Sequence, residues 1–149
     1  MLIVFSGLPG TGKSELAQNI GRQLRLPVFS VDPIESAILR AGIAPGFETG
    51  LAAYLVVEGL ADSQLELGQN AIVDAVNAVE PAKAMWRKVA NKHRVTMKVI
   101  ECFCSDERLH RERLAKRHRG LAENFREPTW RTCSGVGLST RLGPSRSFA

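Results

Sequence analysis

The clearest chemistry in this 149-residue sequence belongs to eight residues near its N-terminus. Residues 7–14 fit the pattern G-x-x-x-x-G-K-[ST], a glycine-rich turn that ends in a lysine and a hydroxyl residue. Glycines let consecutive backbone N–H groups turn inward around an anion, and a helix that begins there adds the favourable end of its dipole. The pattern therefore predicts a phosphate-binding loop. Its backbone cradle would comprise Gly7, Leu8, Pro9, Gly10, Thr11 and Gly12.

The last two residues of the loop have separate tasks in such a site. Lys13 is expected to reach the β- and γ-phosphates of a nucleoside triphosphate, and the hydroxyl of Ser14 to bind Mg²⁺. The alternative is a Gly/Pro-rich turn that only looks like a phosphate loop. The fixed positions lie between an apolar run at 1–5 and a helical pattern, which is the context that phosphate binding needs. The apolar stripe of that helix comprises Leu16, Ile20 and Leu24.

Asp32 follows a second predicted strand, over residues 27–31, and has two interpretations. In one it is the N-cap of the next helix, with capping-box spacing to Glu35 and a proline at the first helical position. In the other its carboxylate lies near the γ-phosphate and takes a proton from an acceptor hydroxyl, or orients that hydroxyl. The sequence leaves both interpretations open.

Asp74 ends a third apolar strand, over residues 71–73. We interpret it as a Walker-B-type aspartate that holds Mg²⁺ through water, although a strand-end loop residue is the alternative. Ala75 follows it, so the second carboxylate that activates water in motor-type ATPases is missing. This favours phosphoryl transfer to a bound hydroxyl over hydrolysis. Asn77 is either a turn residue or a polar group at the substrate, and the sequence does not separate the two.

Guanine specificity is not supported by the sequence. Residues 74–77 lack the glycine of the D-x-x-G pattern, and residues 91–94 begin like N-K-x-D but end in Arg94. These departures argue against a switch GTPase.

The net charge of +5 is concentrated in two segments. Residues 108–119 carry a net +5 and residues 129–149 a net +3, which leaves −3 for the rest of the chain. A nucleic-acid-binding protein more often spreads a basic face across its fold, whereas a local cluster suits a nucleoside triphosphate. The composition therefore argues against nucleic acid as the main partner.

The first basic segment is predicted to be a helix capped by residues 105–107, with Leu109 and Leu114 as its apolar anchors. We interpret this helix as a mobile lid, in which Arg113 and Arg117 stabilise the charge that develops on the transferred phosphoryl group. The alternative is a solvated helix face. The histidines at 110 and 118 are interpreted as surface residues, and Trp86 as part of the core.

The arrangement of the predicted elements indicates an α/β fold. Apolar runs at 1–5, 27–31, 71–73 and 95–103 alternate with helical patterns, which predicts a mostly parallel sheet covered by helices on both sides. Ligands of such three-layer folds bind beyond the carboxyl ends of the strands. The phosphate loop, Asp32 and Asp74 all follow such ends.

Length and composition fit one domain without a membrane span or a signal peptide. The three cysteines lack metal-binding spacing and are interpreted as reduced thiols. We therefore expect a cytoplasmic protein. The sequence does not indicate its oligomeric state.

The sequence resembles, over residues 1–130, the small bacterial P-loop kinases grouped with zeta-toxin-like and chloramphenicol-phosphotransferase-like proteins. The resemblance rests on the phosphate loop, on the strand ends at 32–35 and 72–77, and on residues 104–113. It implies a kinase that uses ATP and Mg²⁺ to phosphorylate a hydroxyl of a small molecule. In such kinases an aspartate after the second strand, here Asp32, commonly serves as base or substrate anchor. Lid arginines, among them Arg111, contact ATP.

The C-terminal segment departs from this family pattern. Similar proteins continue after residue 130 with a charged segment and a final apolar strand, whereas residues 131–149 are rich in Arg, Ser and Gly. We expect a kinase-like domain at 1–128, a disordered or aberrant tail at 129–149, and a missing C-terminal strand that leaves residues 95–103 at an exposed edge. The alternatives are an inactive truncated kinase, or a nucleotide-binding regulator or nucleic-acid-associated ATPase that uses the basic segments.

Overall fold

A computed structural model describes residues 1–117 and 120–134. Strands and helices alternate along the chain, as the apolar pattern predicts. The strands are β1 (Leu2–Ser6), β2 (Val28–Ser30), β3 (Ala71–Asp74) and β4 (Met97–Glu101). The helices are α1 (Lys13–Leu24), α2 (Val31–Arg40), α3 (Phe47–Glu66), α4 (Glu80–Lys92), α5 (Glu107–Ala115) and α6 (Trp130–Ser134). Among the described helices, none is both long enough and apolar enough to cross a membrane.

The four strands form one parallel sheet in the order β2-β3-β1-β4. The central strands β1 and β3 are buried along their whole length, because helices cover both of their faces. In the described part of the chain β4 pairs with β1 alone and lies at the edge of the sheet, where Val99 is 57% exposed. The expected parallel α/β fold is confirmed, with the fourth strand at an edge.

Alternate residues of the central strands pack into two separate hydrophobic cores, one on each face of the sheet. Leu2, Val4 and Val73 pack against α3 and α4 on one face of the sheet. Ile3, Phe5 and Ile72 pack against α1 on the other face. This alternation is what the two-residue period of a strand dictates, and it produces three layers.

The buried face of α1 differs from the predicted stripe. Leu16 and Leu24 are 42% and 52% exposed, and the buried residues are Lys13, Ala17 and Gly21. The helix lies so close to the sheet that small residues are needed at the contact. A Cβ added to Gly21 would stand 2.4 Å from Cγ2 of Val28. Of the predicted stripe only Ile20 packs against the core, so apolar periodicity alone placed the buried face incorrectly at Leu16 and Leu24.

The start of α2 also differs from the prediction. The helix begins at Val31 with Ser30 as its N-cap, so Asp32 lies inside the first turn and does not occupy the cap position. The predicted capping box between Asp32 and Glu35 is therefore wrong. Glu35 instead accepts a hydrogen bond from the Thr49 hydroxyl of α3 at 3.3 Å, which ties the two helices together.

Residues 120–134 return across the molecule after α5. The backbone N–H of Ala122 donates to the Ser36 hydroxyl of α2 at 2.8 Å, and Cys133 of α6 is buried. The segment predicted as a tail from residue 129 thus begins with a short helix, and its remainder, residues 135–149, lies outside the described part of the chain. His118, interpreted as a surface residue, lies outside it as well.

We predict opposite effects of alanine at two helical glycines. Gly21→Ala should destabilise the protein by about 1–3 kcal/mol, because the new methyl group overlaps Val28. Gly59→Ala is the matched control in α3, where a Cβ would meet no atom within 4 Å. It should stabilise by up to about 1 kcal/mol through helix propensity. Urea denaturation measures both, and equal effects of the two substitutions would contradict the close packing of α1.

Candidate functional site

The loop between β1 and α1 has the conformation that a phosphate cradle requires. Gly7, Gly10 and Gly12 have φ values of 145°, 82° and 86°, a region that other residues rarely adopt. A Cβ at Gly7 would lie 2.2 Å from the carbonyl oxygen of Cys102, so the close approach of the two chain segments also requires glycine. The Thr11 hydroxyl donates to the Leu8 carbonyl at 2.8 Å and closes the turn. The local prediction from sequence is fully consistent with this geometry.

A cavity of about 330 Å³ opens above this loop, at the carboxyl ends of the central strands. Besides the loop it is lined by residues from α2, from the segment after β3 and from α5, so four parts of the chain meet there. The lining residues are Leu8, Pro9, Gly10, Gly12, Lys13, Ser14, Glu15, Asp32, Val76, Arg113 and Arg117. This is the position at which open parallel sheets bind ligands.

Lys13 forms a buried ion pair with Asp74, the last residue of β3. Their side chains are 9% and 4% exposed. The second carboxylate oxygen of Asp74 accepts a hydrogen bond from the Ser30 hydroxyl at 3.1 Å. Both oxygens of this carboxylate thus have protein partners, and Asp74 is not among the residues that line the cavity.

Asp32 is placed differently from Asp74. It lies in the first turn of α2 and lines the cavity, and its side chain is 29% exposed. Nη2 of Arg117 stands 3.9 Å from one of its carboxylate oxygens. The structure therefore brings Asp32 and Lys13 to the same cavity, with Asp32 the more accessible carboxylate.

Two of the three arginines predicted at the site reach it. Arg113 and Arg117 line the cavity from α5 and from just beyond it. Arg111 is turned away, because its guanidinium lies over the ring of Trp130, 4.7 Å from the centroid, and forms an ion pair with Glu107. The structure thus does not bring Arg111 to the cavity.

Asn77 is a structural residue, which settles the alternative that the sequence left open. It is buried with a φ of 53°, and its side-chain amide donates to the Phe5 carbonyl at 3.0 Å. Its side-chain oxygen accepts from the indole N–H of Trp86 at 2.7 Å, and its backbone N–H donates to the Tyr54 hydroxyl at 3.2 Å. Asparagine tolerates positive φ better than most residues, so it suits this turn. Trp86 is a core residue, as predicted.

His110 is buried, so its interpretation as a surface residue is wrong. It lies in α5 and is 6% exposed, with Nε2 at 2.7 Å from the carbonyl oxygen of Pro9 in the phosphate loop. The ring of Trp130 meets it edge-on, with the centroids 5.3 Å apart. The high charge of the surrounding segment, residues 106–113, hid this residue, and no local pattern identifies a contact that spans 101 positions.

Burial raises the pKa of three further groups near the site. Burial raises the pKa of Tyr54, despite the hydrogen bond from Asn77, and the charges of Asp32 and Asp74 raise it further. Burial also raises the pKa of Glu35, while the hydrogen bond from Thr49 opposes this. The pKa of the Cys102 thiol is raised by burial and lowered in part by Lys13. Tyr54 and Cys102 therefore offer no anionic nucleophile at neutral pH.

The described residues contain no group of three or more His, Cys, Asp or Glu side chains that could hold a metal ion. Magnesium bound to a nucleotide takes most of its ligands from phosphates and water and needs one or two protein oxygens. The hydroxyl of Ser14 at the cavity and the carboxylate of Asp74 beside Lys13 are oxygen donors of that kind.

A phosphate loop after the first strand of a parallel α/β sheet, with the cavity above it, defines a kinase-like P-loop fold. The chain belongs to the AAA domain family AAA_33, whose model matches residues 2–132. No curated protein matches the sequence. This match does not extend to the more specific zeta-toxin-like grouping, which stays a prediction.

Solved structures similar to this chain include several kinases. A candidate kinase from Chloroflexus aurantiacus J-10-fl is 25% identical with a TM-score of 0.69, and the match covers 76% of this chain and 63% of that one. A sugar kinase from Janibacter sp. HTCC2649 is 15% identical, with a TM-score of 0.64 and coverage of 98% and 81%. The Mycobacterium tuberculosis APS kinase CysC in complex with AMPPNP and APS is 19% identical, with a TM-score of 0.59 and coverage of 85% and 82%. The latter two show the fold alone.

We predict that Lys13→Ala destabilises the protein as well as the site. The substitution leaves the buried carboxylate of Asp74 without its cationic partner. Removing one partner of a buried ion pair lowers the free energy of unfolding by about 3–5 kcal/mol. The double variant Lys13→Ala/Asp74→Asn removes that charge and should recover most of the loss. Urea denaturation in the absence of ligand measures both variants. A double variant no more stable than Lys13→Ala would show that the ion pair is not what Lys13 contributes.

Proposed function

We propose that the protein binds ATP with Mg²⁺ and transfers the γ-phosphoryl group to a hydroxyl of a small molecule. The observation that carries the proposal is the cavity, which combines a glycine-rich phosphate loop with the accessible carboxylate of Asp32 and two arginines. Phosphoryl transfer needs positioning and electrostatic stabilisation more than covalent chemistry, and these groups supply both.

The phosphate loop and Lys13 would hold the triphosphate. Backbone N–H groups of residues 7–14, other than Pro9, and the N-terminus of α1 favour negative charge at the floor of the cavity. To reach the phosphates, Lys13 exchanges its ion pair with Asp74 for contacts to ATP. The Ser14 hydroxyl and the Asp74 carboxylate would then hold Mg²⁺, which supplies charge neutralisation on the phosphates when it is bound.

Asp32 would act on the acceptor. Its carboxylate takes the proton of the acceptor hydroxyl as that oxygen bonds to the γ-phosphorus, and the bond from phosphorus to the bridging oxygen of ADP breaks. Arg113 and Arg117, which line the same cavity, would stabilise the negative charge on the phosphoryl oxygens during this transfer. Arg111 would contribute to the site only indirectly, because its guanidinium lies over the ring of Trp130.

Similar structures support the assignment to the class of small-molecule kinases. The neighbours include a sugar kinase and an APS kinase solved with AMPPNP and APS, so this fold accommodates a nucleotide and a small second substrate. Within the family we propose that the chain lies closest to zeta-toxin-like and chloramphenicol-phosphotransferase-like kinases and acts in the cytoplasm. The basic charges of α5 favour this role over nucleic acid binding. Arg113 lines the cavity, and Arg111 and Lys116 pair with Glu107 and Glu112.

We predict that Asp32→Asn lowers kcat by about 10²–10⁴-fold, because the amide cannot take the proton. Its affinity for MgATP should stay within about threefold of the wild-type value, since the phosphate loop is unchanged. ADP release is measured with pools of sugars, nucleosides, nucleotide sugars and hydroxylated antibiotics as acceptors, and affinity by calorimetry.

Asp62→Asn is the matched control for this substitution. Asp62 lies in α3 and pairs with Lys92 and His93 of α4, and it is not among the cavity residues. Its amide variant should keep the wild-type kcat. Acceptor phosphorylation by Asp32→Asn at the wild-type rate would exclude Asp32 as the base. Failure of the wild-type protein to phosphorylate any hydroxyl, despite binding ATP, would argue against the kinase assignment itself.

A further inference from the structure

We propose that His110 is a positioning residue for the phosphate loop, which it orients through the carbonyl group of Pro9. The inference rests on the proposed nucleotide site, because it concerns how that site presents its backbone N–H groups. It does not depend on which acceptor is phosphorylated, or on whether transfer to an acceptor occurs.

The hydrogen bond between the two residues has a defined direction. Nε2 of His110 lies 2.7 Å from the Pro9 carbonyl oxygen, and a carbonyl oxygen only accepts. The histidine therefore donates, and its proton is on Nε2. The hydrogen bond is partly buried, and its donor is shielded from water, since His110 is almost fully buried and Trp130 covers its ring edge-on. A shielded hydrogen bond is stronger than an exposed one and more costly to leave unmade.

Holding this carbonyl fixes the orientation of the next N–H group. The described part of the chain has no cis peptide bond, so the C=O of Pro9 and the N–H of Gly10 point in opposite directions. Pro9 and Gly10 line the cavity, whereas His110 is not among the lining residues. With the carbonyl directed at His110, the Gly10 N–H points away from that histidine, and in our proposal it faces the cavity, where a phosphate oxygen would lie.

Without the hydrogen bond from His110, the peptide plane between Pro9 and Gly10 could adopt a second orientation. Gly10 has a φ of 82°, and glycine populates both signs of φ with similar ease, so the loop itself does not select one orientation. Leu114 of α5 packs beside the same glycine, where an added Cβ would stand 2.8 Å from its Cγ. The helix thus supports the loop at two adjacent points. A donor fixed before the ligand arrives costs no reorganisation when the phosphate binds.

Trp130, itself covered by Arg111, holds the imidazole of His110 in place. Trp130 meets the His110 ring at an interplanar angle of 90°, and the guanidinium of Arg111 covers the Trp130 ring. Trp130 begins α6, so residues from the C-terminal part of the described chain determine the position of a group that contacts the phosphate loop.

The test compares two substitutions at His110. His110→Leu fills a similar space without a donor, and it should weaken MgATP binding about tenfold, as expected for loss of one oriented hydrogen bond. His110→Gln places an amide N–H₂ near the position of Nε2 and should bind within about threefold of wild type. Calorimetry measures affinity, and thermal unfolding verifies that each variant is folded.

His93→Leu is the matched control, because His93 is a partly buried histidine of the α3–α4 contact that is not among the cavity residues. It should leave MgATP affinity unchanged. A second measurement follows the backbone N–H signal of Gly10 by NMR as Mg²⁺ and ATP are added. The signal should shift strongly in the wild type and in His110→Gln, and weakly in His110→Leu.

Equal affinities of wild type and His110→Leu, or equal losses in His110→Leu and His110→Gln, would overturn the inference. A loss only in overall stability, with the Gly10 shift retained, would assign His110 a packing role and would overturn it as well. A wild-type protein that binds MgATP without phosphorylating any acceptor would remove the proposed function while leaving this inference standing. A wild-type protein that does not bind MgATP would remove both.

Discussion

The buried ion pair between Lys13 and Asp74 is the contact on which the arrangement of the site depends. It joins the first residue of α1 to the last residue of β3, and so it fixes the helix on the sheet at the end where the cavity opens. Because Lys13 must face inward, Ala17 and Gly21, one and two turns further along the helix, face inward too. The larger Leu16 and Leu24 are left toward solvent. A site requirement thus overrides the ordinary preference of leucine for the interior.

The same pair distinguishes the surroundings of the two aspartates that the sequence presents as candidate site residues. Asp74 is engaged by Lys13 and by the Ser30 hydroxyl, which places it behind the phosphate loop. Asp32 lies one strand away, in the first turn of α2, where its carboxylate faces the cavity. A carboxylate held by a lysine is suited to charge balance and metal binding, whereas an accessible one is suited to accept a proton. Under the proposed function, strand order and not residue type distinguishes these two roles.

Features encoded by neighbouring residues could be read from the sequence, and features encoded by distant contacts could not. The phosphate loop, the strands and the cap of α5 follow from local patterns, and the Asp106 side chain does accept from the Leu109 N–H at 3.0 Å. The orientation of α1 depends on how closely Val28 approaches it, and α2 begins two residues earlier than predicted, which changed the role of Asp32. The structural role of Asn77 could not be predicted, because it depends on three hydrogen-bond partners that lie on three different elements.

The basic helix illustrates the same limit with a consequence for function. Its sequence shows two apolar anchors, Leu109 and Leu114, which suggested a loosely held lid. In the structure His110 adds a buried polar anchor, and both His110 and Leu114 contact the phosphate loop itself. Arg113, one turn beyond His110 on the same helix, therefore has its position defined relative to the loop and not only relative to the sheet. For a reaction whose transition state is stabilised by placed charges, this coupling matters more than tight anchoring of the helix elsewhere.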